Sequence, residues 1–153
     1  MCGQQWKSIV AKGDNALKNA DTRLAIYYYT KSMSEGERMI NKTILNFDGD
    51  TGMLGLYTTS CKLLAGACKK ANKKKDAIIC INEAMSKLSD IIKNLGYPIL
   101  MRGKSIRAFE ELFTIVKECE TVEAIDDVIG HKLHELSFYI KQMLPVERDI
   151  QQN

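Results

Sequence analysis

A long apolar stripe between residues 71 and 95 constrains this chain most strongly. Its apolar side chains recur at steps of three and four residues, which places them on one side of an α-helix. They are Ala77, Ile78, Ile81, Ala84, Met85, Leu88, Ile91, Ile92 and Leu95. Such a helix is unstable alone, because its apolar side must be removed from water. The stripe therefore predicts a helix that packs against other helices.

The same periodicity recurs along the whole chain and predicts an all-α protein of about six helices. No segment alternates apolar and polar residues as a half-buried strand does. The two prolines, Pro98 and Pro145, stand where helical patterns stop. Short connections between helices favour antiparallel neighbours. We predict a single domain over 1–153, with three helical hairpins at 4–46, 53–96 and 103–144, and Asp21 or Thr22 as the cap of the second helix.

Composition excludes several classes of protein. With 45% hydrophobic and 27% charged residues, the chain is typical of a folded protein rather than a disordered one. The formal net charge of +3 is too small to indicate nucleic-acid binding without a concentrated patch. No apolar stretch is typical of a signal peptide or a membrane span. Five cysteines without framework spacing indicate reduced thiols. We therefore expect a cytoplasmic protein that binds no membrane.

Two predicted hairpins share one spacing of small and large residues. Small residues at these positions allow two helices to approach closely, and the larger residue between them fills the remaining space. The first copy is Gly13, Ala25, Tyr29 and Ser32, the second is Ala65, Ala77, Ile81 and Ala84, and a weaker third is Leu112, Ala124, Val128 and His131.

This spacing resembles the tetratricopeptide repeat, a helical hairpin that stacks into solenoids. The second hairpin carries the resemblance with Cys61, Leu64, Ala65, Cys68, Ala77, Ile81 and Ala84 at the signature positions, among which Leu64, Ala77 and Ala84 are consensus residues. Copies lie roughly fifty residues apart here, whereas the family repeats at about 34. Longer second helices and the loop at 48–52 account for the difference. A plain six-helix bundle is the alternative architecture.

The resemblance implies a groove lined by the first helix of each hairpin, which holds a protein or peptide partner. The lining positions are Lys7, Val10, Asp14 and Leu17, then Thr59, Lys62, Gly66 and Lys69, then Ile106, Phe109, Phe113 and Val116. Such a groove is basic in the middle and apolar at one end. Among these, the predicted partner-binding residues are Lys7, Val10, Asp14, Lys62, Lys69, Phe109 and Phe113.

Residues 69–75, which we call the lysine turn, hold the densest charge cluster. Its cations are Lys69, Lys70, Lys73, Lys74 and Lys75. One interpretation is a solvated turn whose cations meet the negative end of the preceding helix. The other is a contact with an anion or an acidic partner. Nucleic acid is not expected, because no aromatic platform accompanies the lysines.

No local pattern predicts catalysis, a metal or a cofactor. His131 and His134 stand three apart, but zinc requires at least three protein ligands and no HExxH or paired CxxC motif occurs. Cys61 and Cys68 are separated by about 10 Å of helix, which favours packing thiols over metal ligands. We therefore predict that the chain is not an enzyme.

The function predicted from these patterns is protein–protein interaction. A small cytoplasmic adaptor, or a protein similar to the tetratricopeptide-like chaperones of secretion systems, fits the size and build. One alternative is a self-assembling, dimeric structural subunit, since the uncapped ends of a helical repeat tend to associate. A further alternative is a metal-dependent enzyme that uses His131, His134 and nearby carboxylates.

Overall fold

The computed structural model of the chain describes residues 3–46 and 52–119, and these residues form five α-helices. They are α1 (Gly3–Lys18), α2 (Thr22–Asn46), α3 (Gly52–Lys70), α4 (Lys74–Lys93) and α5 (Ile99–Cys119). No strand occurs in the described residues. The all-α prediction is confirmed with five helices rather than six. The predicted sixth helix, with its His131 and His134, falls outside the described residues.

Contacts divide the chain into two compact units, residues 1–84 and residues 85–153, and the division falls within α4. The first unit contains α1, α2, α3 and the beginning of α4. The second contains the rest of α4 and α5. The single domain predicted for 1–153 stays a prediction.

A left-handed residue closes the turn between α1 and α2. Ala20 has a φ of 58°. Its amide donates to the carbonyl of Leu17 at 3.1 Å, and the amide of Asp21 donates to the carbonyl of Ala16 at 2.9 Å. These two bonds form a Schellman motif, which satisfies carbonyls that the end of a helix leaves unpaired.

The turn between α3 and α4 is built in the same way. Asn72 has a φ of 59°. Its amide donates to the carbonyl of Lys69 at 3.0 Å, and the amide of Lys73 donates to the carbonyl of Cys68 at 2.8 Å. Asn72 and Lys73 take the positions that Ala20 and Asp21 take in the first turn. The accepting carbonyls of the two turns correspond in the same way. The two turns therefore share one backbone conformation and one pattern of hydrogen bonds.

The two turns differ in how they start the next helix. Asp21 caps α2, because its Oδ1 accepts a hydrogen bond from the amide of Leu24 at 3.1 Å. This confirms the predicted cap. The corresponding residue before α4 is Lys73, whose side chain has no acceptor for such a bond.

The lysine turn spans the ends of two helices with opposite dipole charges. Lys69 and Lys70 lie in the last turn of α3, where the dipole favours cations. Lys73 precedes α4, and Lys74 and Lys75 begin it, so these three lie near the positive end of that helix. The interpretation of the cluster as a favourable helix end is therefore right for the first two lysines and wrong for the other three.

Exchanging the two caps should change stability in opposite directions. Lys73→Asp should raise the free energy of unfolding by about 1 kcal/mol, because a carboxylate both caps α4 and meets its positive end. Asp21→Lys should lower it by a similar amount, since α2 loses its cap. Urea denaturation followed by circular dichroism measures both changes. A Lys73→Asp variant that is less stable than the parent would contradict the cap assignment.

The predicted close approach of α1 and α2 is present at Gly13. A Cβ added there would lie 2.6 Å from Cε1 of Tyr29, so only glycine leaves room for the ring. All members of the first two copies of the spacing are buried: Gly13, Ala25, Tyr29, Ser32, Ala65, Ala77, Ile81 and Ala84. Of the third copy, Leu112 is buried and the other members lie outside the described residues.

Helices α1 and α3 are neighbours that run in parallel. A Cβ on Gly3 would be 3.9 Å from Cδ1 of Leu56. Further along both helices, Nε1 of Trp6 donates to Oγ of Ser60 at 2.7 Å, and both side chains are buried. Since both residue numbers increase together, the helices share one direction. Helix α2 packs against both of them.

In the second unit, a buried arginine joins α5 to the end of α4. Nε of Arg102 donates to the carbonyl of Ile92 at 2.8 Å, and Arg102 is 8% exposed. The bond satisfies a carbonyl in the last turn of α4. Apolar side chains of both helices are buried in this unit, among them Leu88, Ile91, Met101, Phe109, Leu112 and Val116.

Candidate partner-binding face

Two rows of residues on the neighbouring helices α1 and α3 form the predicted groove lining of the first unit, which we call the α1/α3 face. It comprises Lys7, Val10, Asp14 and Leu17 on α1, and Thr59, Lys62, Gly66 and Lys69 on α3. Steps of three and four residues keep each row on one side of its helix. Close contacts with α2 are made by other positions, such as Gly13 and Tyr57, and within the two rows Asp14 accepts a hydrogen bond from Tyr29 of α2.

Every member of the α1/α3 face is accessible to some degree. The exposed members are Lys7, Asp14, Thr59, Lys62 and Gly66, and the half-buried ones are Val10, Leu17 and Lys69. At Gly66, an added Cβ would meet no atom within 4 Å, so this part of α3 is open. Five of the predicted partner-binding residues, Lys7, Val10, Asp14, Lys62 and Lys69, are thus accessible on α1 and α3.

The α1/α3 face is basic, and its one carboxylate is held by α2. The hydroxyl of Tyr29 donates to Oδ1 of Asp14 at 2.6 Å. Burial, together with the bond to Asp14 and its negative charge, raises the pKa of the Tyr29 hydroxyl well above its ordinary value. The tyrosine therefore remains a hydrogen-bond donor at neutral pH and fixes the position of Asp14. The face carries three lysines and one carboxylate, and this excess of positive charge favours an anionic partner.

The other two predicted residues belong to the second unit, and only one is accessible. Phe109 is 1% exposed and is a core residue, so its side chain offers no surface to a partner. Ile106 and Val116, predicted to line the groove beside it, are buried as well. Phe113 is half-buried, and Nζ of Lys117 lies 4.7 Å from its ring centroid. These residues form the inner side of α5 instead of the apolar end of a groove.

An aromatic patch on α2 lies outside the predicted groove. Tyr27, the first of three consecutive tyrosines, is 53% exposed. Nζ of Lys31 lies 5.0 Å from its ring centroid, within the range of a cation–π contact. Beside it, Asp21, Arg23 and Leu24 complete an open depression of about 320 Å³. Arg23 and Leu24 lie four and three residues before Tyr27 on α2, and Asp21 is the cap of that helix.

Sulfur atoms from three helices meet in the core of the first unit. Sγ of Cys61 lies 3.9 Å from Sγ of Cys80, which is 3.7 Å from Sδ of Met33. Hydrogen bonding with Cys61 and burial raise the pKa of the Cys80 thiol. Protonated, buried thiols are poor nucleophiles and act as packing groups. This is the role that the helical spacing of Cys61 and Cys68 predicts.

The part of the chain that the structure describes was compared with the requirements of a metal site and of a membrane-spanning helix. There, no three histidine, cysteine, aspartate or glutamate side chains lie close enough to hold a metal ion. None of the described helices is long and apolar enough to cross a membrane. Comparison of the chain with protein-family models, curated proteins and solved structures gave no match.

Proposed function

We propose that this protein is a protein–protein interaction module that holds a segment of a partner on the α1/α3 face. A small cytoplasmic adaptor, or a protein similar to tetratricopeptide-like secretion chaperones, is the role that fits best. The observation that carries the proposal is the parallel pairing of α1 and α3 through Trp6 and Ser60. Together with the two matching turns, this pairing supports stacked hairpins whose first helices share an accessible surface.

The chemistry of the α1/α3 face favours a partner segment with acidic and apolar residues. Val10 and Leu17 are half-buried and offer apolar surface on α1, while Lys7 and Lys62 are exposed cations. Apolar contacts supply affinity, and charge complementarity selects the partner and speeds its association. Neither contribution requires a bound cofactor or a reacting group.

Site-specific crosslinking tests the proposal even while the partner is unidentified. A photoreactive amino acid at Thr59 lies on the α1/α3 face, whereas the same residue at Ile79 is also exposed but lies on α4. In the native extract, we expect one partner to be crosslinked through Thr59 and not through Ile79. Mass spectrometry identifies the partner and the crosslinked segment.

Charge reversal should remove that crosslink selectively. Lys7→Glu combined with Lys62→Glu places two anions on the face, and we expect the crosslink through Thr59 to fall at least tenfold. The matched control reverses Lys12 and Lys31, which lie over tyrosine rings outside the face. Equal losses in both double variants, with unchanged circular dichroism, would show that net charge rather than the face determines binding.

Self-assembly is a second candidate, favoured by one apolar cluster in the second unit. Leu95 is 82% exposed, Ile99 is 51% exposed and Leu100 is 45% exposed. Exposed apolar patches on soluble proteins often mark contact sites. Light scattering over a range of concentrations tests this function. A dimer that Leu95→Asp dissociates would support it, and a monomer at every concentration would remove it.

A further inference from the structure

We infer that the lysine turn binds an acidic stretch of the partner segment held by the α1/α3 face. This inference rests on the proposed function and assigns the acidic part of the segment to one end of the face. It identifies the partner by its chemistry. The partner is an extended protein segment in which several acidic residues follow or precede the apolar residues along the sequence.

The fold does not require lysines at this turn. The turn between α1 and α2 has the same backbone conformation and the same pair of hydrogen bonds. It closes with Asp21, Thr22 and Arg23 at the places of Lys73, Lys74 and Lys75. One protein thus builds the same turn with two sequences, and only one of them concentrates positive charge.

The lysines also oppose the local electrostatics of the fold. Lys73 replaces a capping residue, and Lys74 and Lys75 add cations at the positive end of α4. All three are exposed, so none is needed to fill the core. Charge added for solubility alone serves equally well at other exposed positions. The positive charge is concentrated at a helix end where it lowers stability. This indicates a role in binding that compensates for the lost stability.

The lysine turn continues the α1/α3 face directly. Lys69 is both the last member of the row on α3 and the first residue of the turn. The row from Thr59 to Lys69 covers about 15 Å of helix, the length of four to five residues of extended chain at about 3.3 Å each. A partner segment that follows α3 toward its end therefore reaches the lysines with its next few residues.

An acidic protein segment fits the lysine turn better than nucleic acid does. Residues 69–75 contain no aromatic side chain to stack a base and no arginine to read a phosphate or base edge. The lysine turn is the densest run of positive charge in the sequence, and the whole chain carries only +3. Nucleic acid is usually bound through a larger basic stripe.

A transplant of the other turn's residues provides the test. The variant Lys73→Asp/Lys74→Thr copies Asp21 and Thr22, so it should fold at least as stably as the parent. The probe is a fluorescein-labelled peptide with four leucines followed by five glutamates, measured by fluorescence anisotropy at two salt concentrations. We expect the transplant to weaken binding about tenfold and to reduce its dependence on salt.

Two further variants separate this inference from the proposed function. The reciprocal variant Asp21→Lys/Thr22→Lys adds cations to the turn outside the lysine turn, and we expect it to bind the peptide as the parent does. The variant Lys7→Glu/Lys62→Glu tests the α1/α3 face. If it abolishes binding while the transplant binds normally, the inference fails and the proposed function stands. If neither variant changes binding, both fail.

Three further measurements use the parent protein and test whether it binds the acidic peptide selectively. A parent protein that leaves the peptide unbound at millimolar concentration overturns the inference. So does tighter binding of a DNA duplex, or of vesicles containing phosphatidylserine, than of the acidic peptide. A peptide with glutamine at every glutamate position should bind at least tenfold more weakly than the acidic one; equal binding would likewise contradict the inference.

Discussion

Trp6→Ala should lower the free energy of unfolding by about 3–5 kcal/mol, the usual cost of truncating a buried large aromatic residue. Trp6 is 8% exposed and joins α1 to α3. Its truncation leaves a cavity between the two helices and removes the hydrogen bond to Ser60, which is fully buried. Because Trp6 is the one tryptophan of the sequence, the measurement should use circular dichroism in urea instead of fluorescence.

Two control variants separate the packing of Trp6 from its hydrogen bond. Trp6→Phe retains most of the apolar surface but leaves the hydroxyl of Ser60 without the indole donor, so it should cost less than the alanine variant. Tyr27→Ala truncates an aromatic side chain that is 53% exposed, and should change stability by less than about 0.5 kcal/mol. A cost below about 1 kcal/mol for Trp6→Ala would show that α1 does not pack on α3 as described.

Local periodicity predicts the helices well because it depends on residues close in sequence. The apolar stripe of α4, the cap at Asp21 and the close approach at Gly13 all follow from spacings within one hairpin. Such features require only that a helix forms and that its apolar side packs. The eight small and large residues of the first two hairpins are buried for the same reason.

Contacts between distant helices cannot be predicted in this way. The bond from Trp6 to Ser60 depends on how two hairpins are placed against each other, and no local spacing encodes it. The burial of Phe109 likewise depends on which side of α5 faces the core of the second unit. The charge of the lysine turn is evident from the sequence. Whether each lysine lies at a favourable helix end depends on where α4 begins, and Lys73, Lys74 and Lys75 lie at the start of that helix.

Gly36→Ala should lower the free energy of unfolding by about 1–3 kcal/mol, the usual cost of forcing an extra group into a packed contact. An added Cβ would lie 2.9 Å from the Cα of Tyr57 and 3.2 Å from its amide nitrogen. These are backbone atoms of α3, so no side-chain rotation relieves the contact and α2 must move away. This cost exceeds the stability of about 1 kcal/mol that alanine ordinarily gains over glycine inside a helix.

The same substitution at Gly66 should have the opposite effect and serves as the matched control. Gly66 lies inside α3, but an added Cβ would meet nothing within 4 Å. Gly66→Ala should therefore raise the free energy of unfolding by about 0.5–1 kcal/mol through helix propensity alone. Opposite signs at Gly36 and Gly66 in urea denaturation would separate close packing of α2 on α3 from propensity. If both variants were stabilised, the two helices would lie further apart than the structure places them, because only a close backbone contact at Tyr57 can reverse the gain.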